Sequence, residues 1–305
     1  MNGTGTKNDP FVIMTAEELY HMGEYGGSDV YCRLGADISL NGTPYGENFT
    51  PIPVCCGHLD GAGHSIKNIY VNTVDSDVNL FSVTSDTTVE ISNLVIENIE
   101  LSALNSYVFS SGNDTGCTVE LYNCTFILNV RRLDRDTSSS GSRCLLHNNL
   151  IVVNAELCTF AVKGNYEVPY SIFKNGAMKR SHLRLELTVQ EMLSTSADGA
   201  AIFNNAIVTD SYFTGKIKGV GYNILMAHED AAFSNCYHAI EYEAVSGAYW
   251  NAAFLTPCFY DADKMGSAEY RRTVNGGWYF YGLTTEQCKD ADYLRSIGFI
   301  VEKGE

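Results

Sequence analysis

Three groups of residues in this chain have types and spacings that could do chemistry. The first is His58-x-Asp60-x3-His64, two imidazoles and a carboxylate within seven positions, a set that resembles the ligands of a metal ion. The same stretch, Asp60-Gly61-Ala62-Gly63, is also a sharp turn, with Asp60 bonding to its own backbone and the glycines taking up positive φ. The turn is the simpler account. The second group is Asp134 and Asp136 with Arg131, Arg132 and Arg135. Paired carboxylates can hold calcium or split a glycosidic bond, but these five share one serine-rich stretch, 131–143, that reads as a solvated loop. The third is Lys179-Arg180-Ser181-His182-Leu183-Arg184. Its alternation puts Arg180, His182 and Arg184 on one strand face and Leu183 with Leu185 on the other.

Nineteen tyrosines add a further signal, because exposed aromatic faces stack on flat ligands and anchor interfaces. Tyr166, Tyr170, Tyr222, Tyr237, Tyr242 and Tyr249 fall in or near turns, where they would line a groove. The candidate binding positions are therefore Tyr166, Tyr170, Arg180, His182, Arg184 and Tyr222. No catalytic residue, metal ligand or cofactor is assigned. The chain has no GxSxG elbow, no P-loop and no dinucleotide fingerprint. Its ten cysteines include no CxxC pair and no zinc-finger spacing, and a chain this long needs no disulfide staples. They read as buried thiols.

These residues must be held by short strands and many turns. The 305 residues are 45% hydrophobic, only 18% charged, and rich in Gly, Ser, Thr, Asn and Tyr, which suits an all-β unit. With 20 basic and 36 acidic side chains the formal net charge is −16, so nucleic acid is not an expected partner. No apolar run approaches 18 residues, which excludes insertion of a membrane helix. The opening MNGTGTKNDPFVIM has no basic, apolar or small-residue segment of a secretory signal. Export by that route is not expected if the chain is complete.

Aligning strand cores on one small or apolar position gives eight rows: Ile69, Leu94, Cys124, Cys158, Ser181, Ser211, Cys236 and Cys258. A larger residue follows two positions later in each: Val71, Ile96, Phe126, Phe160, Leu183, Phe213, His238 and Tyr260. Asn precedes the key position at 68, 93, 123 and 235. Repeats of this length made of strands mark a solenoid. The spacing varies by a dozen residues, from 22 between Cys236 and Cys258 to 34 between Cys124 and Cys158, as in a parallel β-helix whose rungs align while its turns differ. The small column points inward, the larger column fills the lumen, and the asparagines stack at the ~4.8 Å strand spacing. Residues 1–50 form an N-terminal strand-helix-strand cap, with Thr15 and Glu18 as a capping box. Residues 51–262 form about eight rungs. Residues 263–305 form a C-terminal cap whose helix opens at Thr284 and Gln287 and runs to about Arg295.

The stretches GTGTKNDPFVIMTAEELYHM, GHLDGAGHSIKNIYV (57–71), LFSVTSDTTVEISNLVIENI (80–99) and GLTTEQCKDADYLRSIGF (282–299) resemble right-handed parallel β-helix proteins with GLUG-type repeats. That family is related to pectate-lyase-like and adhesin β-helices of bacteria and their phages. The resemblance covers most of the chain, is clearest at both ends, and weakens between Ser138 and Asn205. It implies a single-stranded right-handed parallel β-helix with short helical caps. The reading favoured for such a β-helix is a non-enzymatic structural or adhesive role, and the missing secretory signal points to a phage virion spike, fibre or capsid decoration as the setting. Partners would be other virion proteins or the chain itself as a homotrimer, and a host surface polysaccharide. Two alternatives remain: a polysaccharide-degrading lyase or glycoside hydrolase, and a bacterial surface adhesin. An enzyme of that kind gathers carboxylates from adjacent rungs on one exposed groove.

Overall fold

A computed structural model describes residues 1–47, 49–72, 77–83, 88–103, 105–111, 116–132, 145, 151–166, 171–189, 202–219, 223–227, 230–245, 247–250, 252–265, 269–272 and 280–297. Every pair of strands within them is parallel. They form a thirteen-stranded sheet, a ten-stranded sheet and a three-stranded sheet. Each turn of chain gives one strand to the first sheet and then one to the second, so Thr88–Ser92 is followed by Val95–Ala103, and Cys117–Tyr122 by Thr125–Arg132. The fold is an all-β parallel β-helix.

The corner between these two sheets is the constant part of the coil. It takes two residues: Asn93-Leu94, Asn123-Cys124, Leu157-Cys158, Arg180-Ser181, Asp210-Ser211 and Asn235-Cys236. The first residue of each lies in the left-handed region, with φ between 47° at Arg180 and 57° at Leu157. Asn tolerates that conformation better than most residues with a Cβ, and its amide also bridges rungs. Asn123 Nδ2 donates to Asn93 Oδ1 at 2.8 Å, Asn93 Nδ2 to Asp60 Oδ1 at 3.0 Å, and Asn235 Nδ2 to Asp210 Oδ1 at 2.7 Å.

The second corner residue points inward and is buried in every case, from Leu94 at 0% exposure to Cys236 at 3%. Its usual identity, Ser or Cys, follows from the backbone it meets. Ser181 Oγ donates to Lys179 O at 2.7 Å, and Ser211 Oγ to Thr209 O at 2.7 Å. Cys158 and Cys236 thiols reach the equivalent carbonyls of Glu156 and Ser234 at 3.3 and 3.2 Å. Each hydroxyl also accepts from the rung before it: Cys158 N donates to Ser181 Oγ at 3.0 Å and Ser181 N to Ser211 Oγ at 3.1 Å. A buried N–H without a partner costs about 1–3 kcal/mol. Ser181→Ala is therefore expected to lose about 1–3 kcal/mol in urea denaturation, while Ser181→Cys, the residue of rows 158 and 236, should lose less than half of that. Equal losses would remove the ladder from the account.

Seven of the eight expected rows stand in register, from Thr125 opposite Val95 through Tyr237 opposite Phe259. The first row does not. Ser65 pairs with Val95 and Ile66 with Ile96, so Ile66 and not Val71 lies in the inward column, and Ile69 pairs with Ile99. The chain needs four residues, Gly61 to His64, to turn the first corner where later rungs need two. Asn68 (φ 63°) belongs instead with Asn98 (φ 53°), whose amide donates to the Asn68 side chain. Between Phe126 and Leu128 the register shifts against Asn98, so these asparagines occupy a bulge inside the strand. In the first corner Ala62 (φ 52°) and Gly63 (φ 81°) take the left-handed positions. Gly61 serves a different need, since a Cβ there would lie 2.5 Å from Asn93 O.

Phenylalanines run up the lumen. Phe126 stacks on Phe160 at 5.4 Å between centroids and meets Phe109 edge-on at 6.0 Å. Phe203, Phe213, Phe233 and Phe254 continue the column. At the start of the chain the helix Ala16–His21 is capped by Thr15, which accepts from Glu18 N, while Glu18 Oε2 takes Met14 N at 2.7 Å. The strand before it, Phe11–Ile13, is already part of the first sheet. Near the other end Thr284 and Gln287 form the capping box. The single helix expected there is two, Thr285–Lys289 and Ala291–Ser296, because Asp290 ends the first and caps the second. The final strand expected at 298–301 lies outside the described residues.

Candidate functional site

The outer face of the first sheet carries a groove of about 640 Å³. Two rows of outward side chains line it, brought together by strand register. One row runs Tyr31, His58, Glu90, Glu120, Asn154, Ala177, and the other Arg33, Asp60, Ser92, Tyr122, Glu156, Lys179. Six rungs at ~4.8 Å make the groove roughly 24 Å long, lying across the strands.

Its polar groups hold one another in place. The rings of Tyr31 and His58 stack at 4.0 Å with 4° between planes. His58 Nδ1 lies 2.7 Å from Glu90 Oε2. Asn154 Nδ2 donates to Glu120 Oε1 at 2.8 Å. Asp60 Oδ1 accepts from Ala62 N at 2.9 Å, and its other oxygen faces Arg33 Nε at 3.8 Å. Glu156 takes the Arg180 guanidinium, with Lys179 Nζ 3.7 Å away; the Arg180 bond, ahead of all other causes, holds the Glu156 carboxyl below the usual carboxylate range. Tyr122 stands half out of the groove floor at 50% exposure.

None of these positions except His58, Asp60, Lys179 and Arg180 stands out in the sequence. A signal was available: the two groove rows lie four and two residues upstream of the buried corner column, as Glu90 and Ser92 do for Leu94, or Glu120 and Tyr122 for Cys124. Extending the row alignment upstream would have collected them.

Of the residues singled out by type, His58, Asp60 and Lys179 line this groove and Arg180 binds its Glu156; the rest lie elsewhere. His58, Asp60 and His64 do not converge, since His64 Nδ1 faces Asp37 Oδ1 at 3.3 Å. Among the described residues no three His, Cys, Asp or Glu gather as a metal set. Arg180, His182 and Arg184 do not share one face as expected. Arg180 occupies the left-handed corner and binds Glu156 of the first sheet. His182 stacks on Tyr212 at 4.2 Å, with Nε2 2.7 Å from Thr214 Oγ1, and burial lowers its pKa. Arg184 is exposed and pairs with Glu186. Tyr166 ends the strand Thr159–Tyr166, but its side chain, like all of Tyr170 and Tyr222, lies outside the described residues. So do Asp134, Arg135 and Asp136. Tyr242 is buried in the lumen and Tyr237 is half-buried.

No protein-family model matches the chain. A segment of 88 residues, 27% of the chain, is 33% identical to a "Putative Gly-rich membrane protein" of Evansella cellulosilytica, and it spans only 10% of that relative's length. A crystal structure described as that of "a putative immunoglobulin A1 protease from Bacteroides ovatus" aligns over 97% of this chain and 90% of its own, at 14% identity and a TM-score of 0.40. A superposition that loose carries no argument about activity.

Proposed function

We propose that the protein is a non-enzymatic, adhesive β-helix that grips a surface glycan in the groove of its first sheet, in the setting of a phage virion. One observation carries this reading: carboxylates, an amide and aromatic rings from successive rungs line one open trough. Planar hydrogen-bonding groups beside an exposed ring such as Tyr122 suit a sugar chain, whose hydroxyls and C–H faces alternate. The trough also bears on catalysis. A glycosidase keeps its general acid protonated by removing it from water. The carboxylates of adjacent rungs that such an enzyme gathers are present here, but Glu90, Asp60 and Glu156 keep 60%, 42% and 34% of their side-chain surface exposed and are already bonded to donors, which supports binding over cleavage. Further along, Ile207 on the same sheet is 57% exposed and Leu255, just past the strand Ala253–Phe254, is 61% exposed; apolar side chains left open there support self-association, of which a homotrimer is one form.

The test is to immobilise capsular and cell-wall polysaccharides and measure retention of the protein and its Tyr122→Ala variant. The expected result is binding without product release, weakened about tenfold in the variant, as for the loss of one aromatic anchor. Release of new reducing or unsaturated ends would overturn the non-enzymatic reading. Absence of the chain from purified particles would overturn the virion setting.

A further inference from the structure

We infer that the groove selects an amino sugar, a glycan bearing free ammonium groups. This deepens the glycan reading and rests on it. Glu90 and Glu120 stand directly opposite each other in register on adjacent strands of the first sheet. Like charges placed so are destabilising, and among the described residues no Lys or Arg is within ion-pair distance of either: Glu90 is met by the His58 ring, a cation only when protonated, and Glu120 by the Asn154 amide. The other acids of the groove are compensated, Asp60 by Arg33 and Glu156 by Lys179 and Arg180. Uncompensated charge is therefore concentrated at one place, midway along a trough of about 640 Å³. Aromatic groups lie beside it: the Tyr31–His58 stack on the rungs before it, and Tyr122 two residues after Glu120 in the same strand. Carboxylates beside aromatic faces are the surroundings that attract an ammonium group. A single ammonium between Glu90 and Glu120 would relieve their repulsion, while the rest of the sugar chain lies along the two rows. The formal charge of −16 works in the same direction, because it repels uronate and sulfated polymers.

Three oligosaccharides of equal length separate the possibilities: β-1,4-linked glucosamine, its N-acetylated form and oligogalacturonate. Each is titrated by calorimetry at low ionic strength against the wild type, Glu90→Gln/Glu120→Gln and Tyr122→Ala. The glucosamine oligomer is expected to bind at least tenfold tighter than the other two. The double variant should erase that preference and leave the melting temperature unchanged or raised. If the N-acetylated or uronate oligomer binds as tightly, with the same loss in Tyr122→Ala, the amino-sugar inference fails and the groove reading survives. If no oligomer binds, or binding ignores all three substitutions, both fail.

Discussion

Phe126→Ala is expected to destabilise the protein by about 3–5 kcal/mol. Phe126 is fully buried, and both neighbours in the ring column depend on it: Phe160 stacked at 5.4 Å and Phe109 edge-on at 6.0 Å. Removing the ring takes away its transfer energy and leaves a cavity that the fixed rung spacing cannot close. In a solenoid each unit is stabilised by its neighbours, so the hole is felt on two interfaces. The next residue provides the control. Ile127 points outward at 45% exposure, and Ile127→Ala should change stability by no more than about 0.5 kcal/mol. Urea midpoints for the two variants check the contrast. A loss below about 1.5 kcal/mol in Phe126→Ala, the range of a volume-conserving swap, would mean that the lumen repacks freely.

The second large effect is a pH dependence. His238 takes a place in the inward column that Phe213 and Phe160 fill on other rungs, and it is 2% exposed, with Tyr242 Oη 3.0 Å from its Nε2. Burial pushes its pKa from 6.5 down to about 3. The unfolded chain therefore binds a proton between pH 6.5 and about 3 that the folded protein refuses. Stability is full above the upper limit and declines as the pH falls through this window. Between pH 7 and 5 the expected loss is about 2 kcal/mol. His182, lowered in the same direction by burial and then by Arg184, adds a smaller loss of the same sign. The carboxylates held low, Asp37 by the Ser65 N–H and Glu243 at about 2 by Lys216 and Lys218, stay ionised until more acid conditions. The double variant His238→Phe/Tyr242→Phe removes both buried polar groups. Denaturation at pH 7 and pH 5 should show most of the wild-type difference gone. An unchanged difference would assign the acid sensitivity to other groups.

The coil itself was legible in the sequence wherever its corner was two residues long. From Leu94 onward a small or apolar inward residue followed two positions later by a larger one marks every rung, and strand pairing reproduces that alignment. It misled at Asn68-Ile69 because a bulge produces the same local signature as a corner, an Asn at positive φ followed by alternating apolar residues. Only the long-range pairing of Ile66 with Ile96 separates the two. The groove was hidden for another reason. Tyr31, His58, Glu90, Glu120 and Asn154 lie roughly thirty residues apart and are each unremarkable alone; register makes them a site. The residues that attracted attention by type, His58 to His64 and Lys179 to Arg184, are compact in sequence, and the corners divide them between sheets.

The bonds of the corner column also have a direction in time. At three corners the inward residue's backbone N–H finds its acceptor on the rung that follows: Cys158 on Ser181, Ser181 on Ser211, Cys236 on Cys258. A chain emerging from the ribosome at these corners therefore carries one unfinished corner at its growing end, and the next rung to arrive completes it. Truncation from either end leaves a corner donor without its acceptor. A chain cut short after Cys158 leaves the Cys158 N–H without its Ser181 acceptor, and one begun after Cys124 leaves the Thr159 N–H without the Cys124 carbonyl.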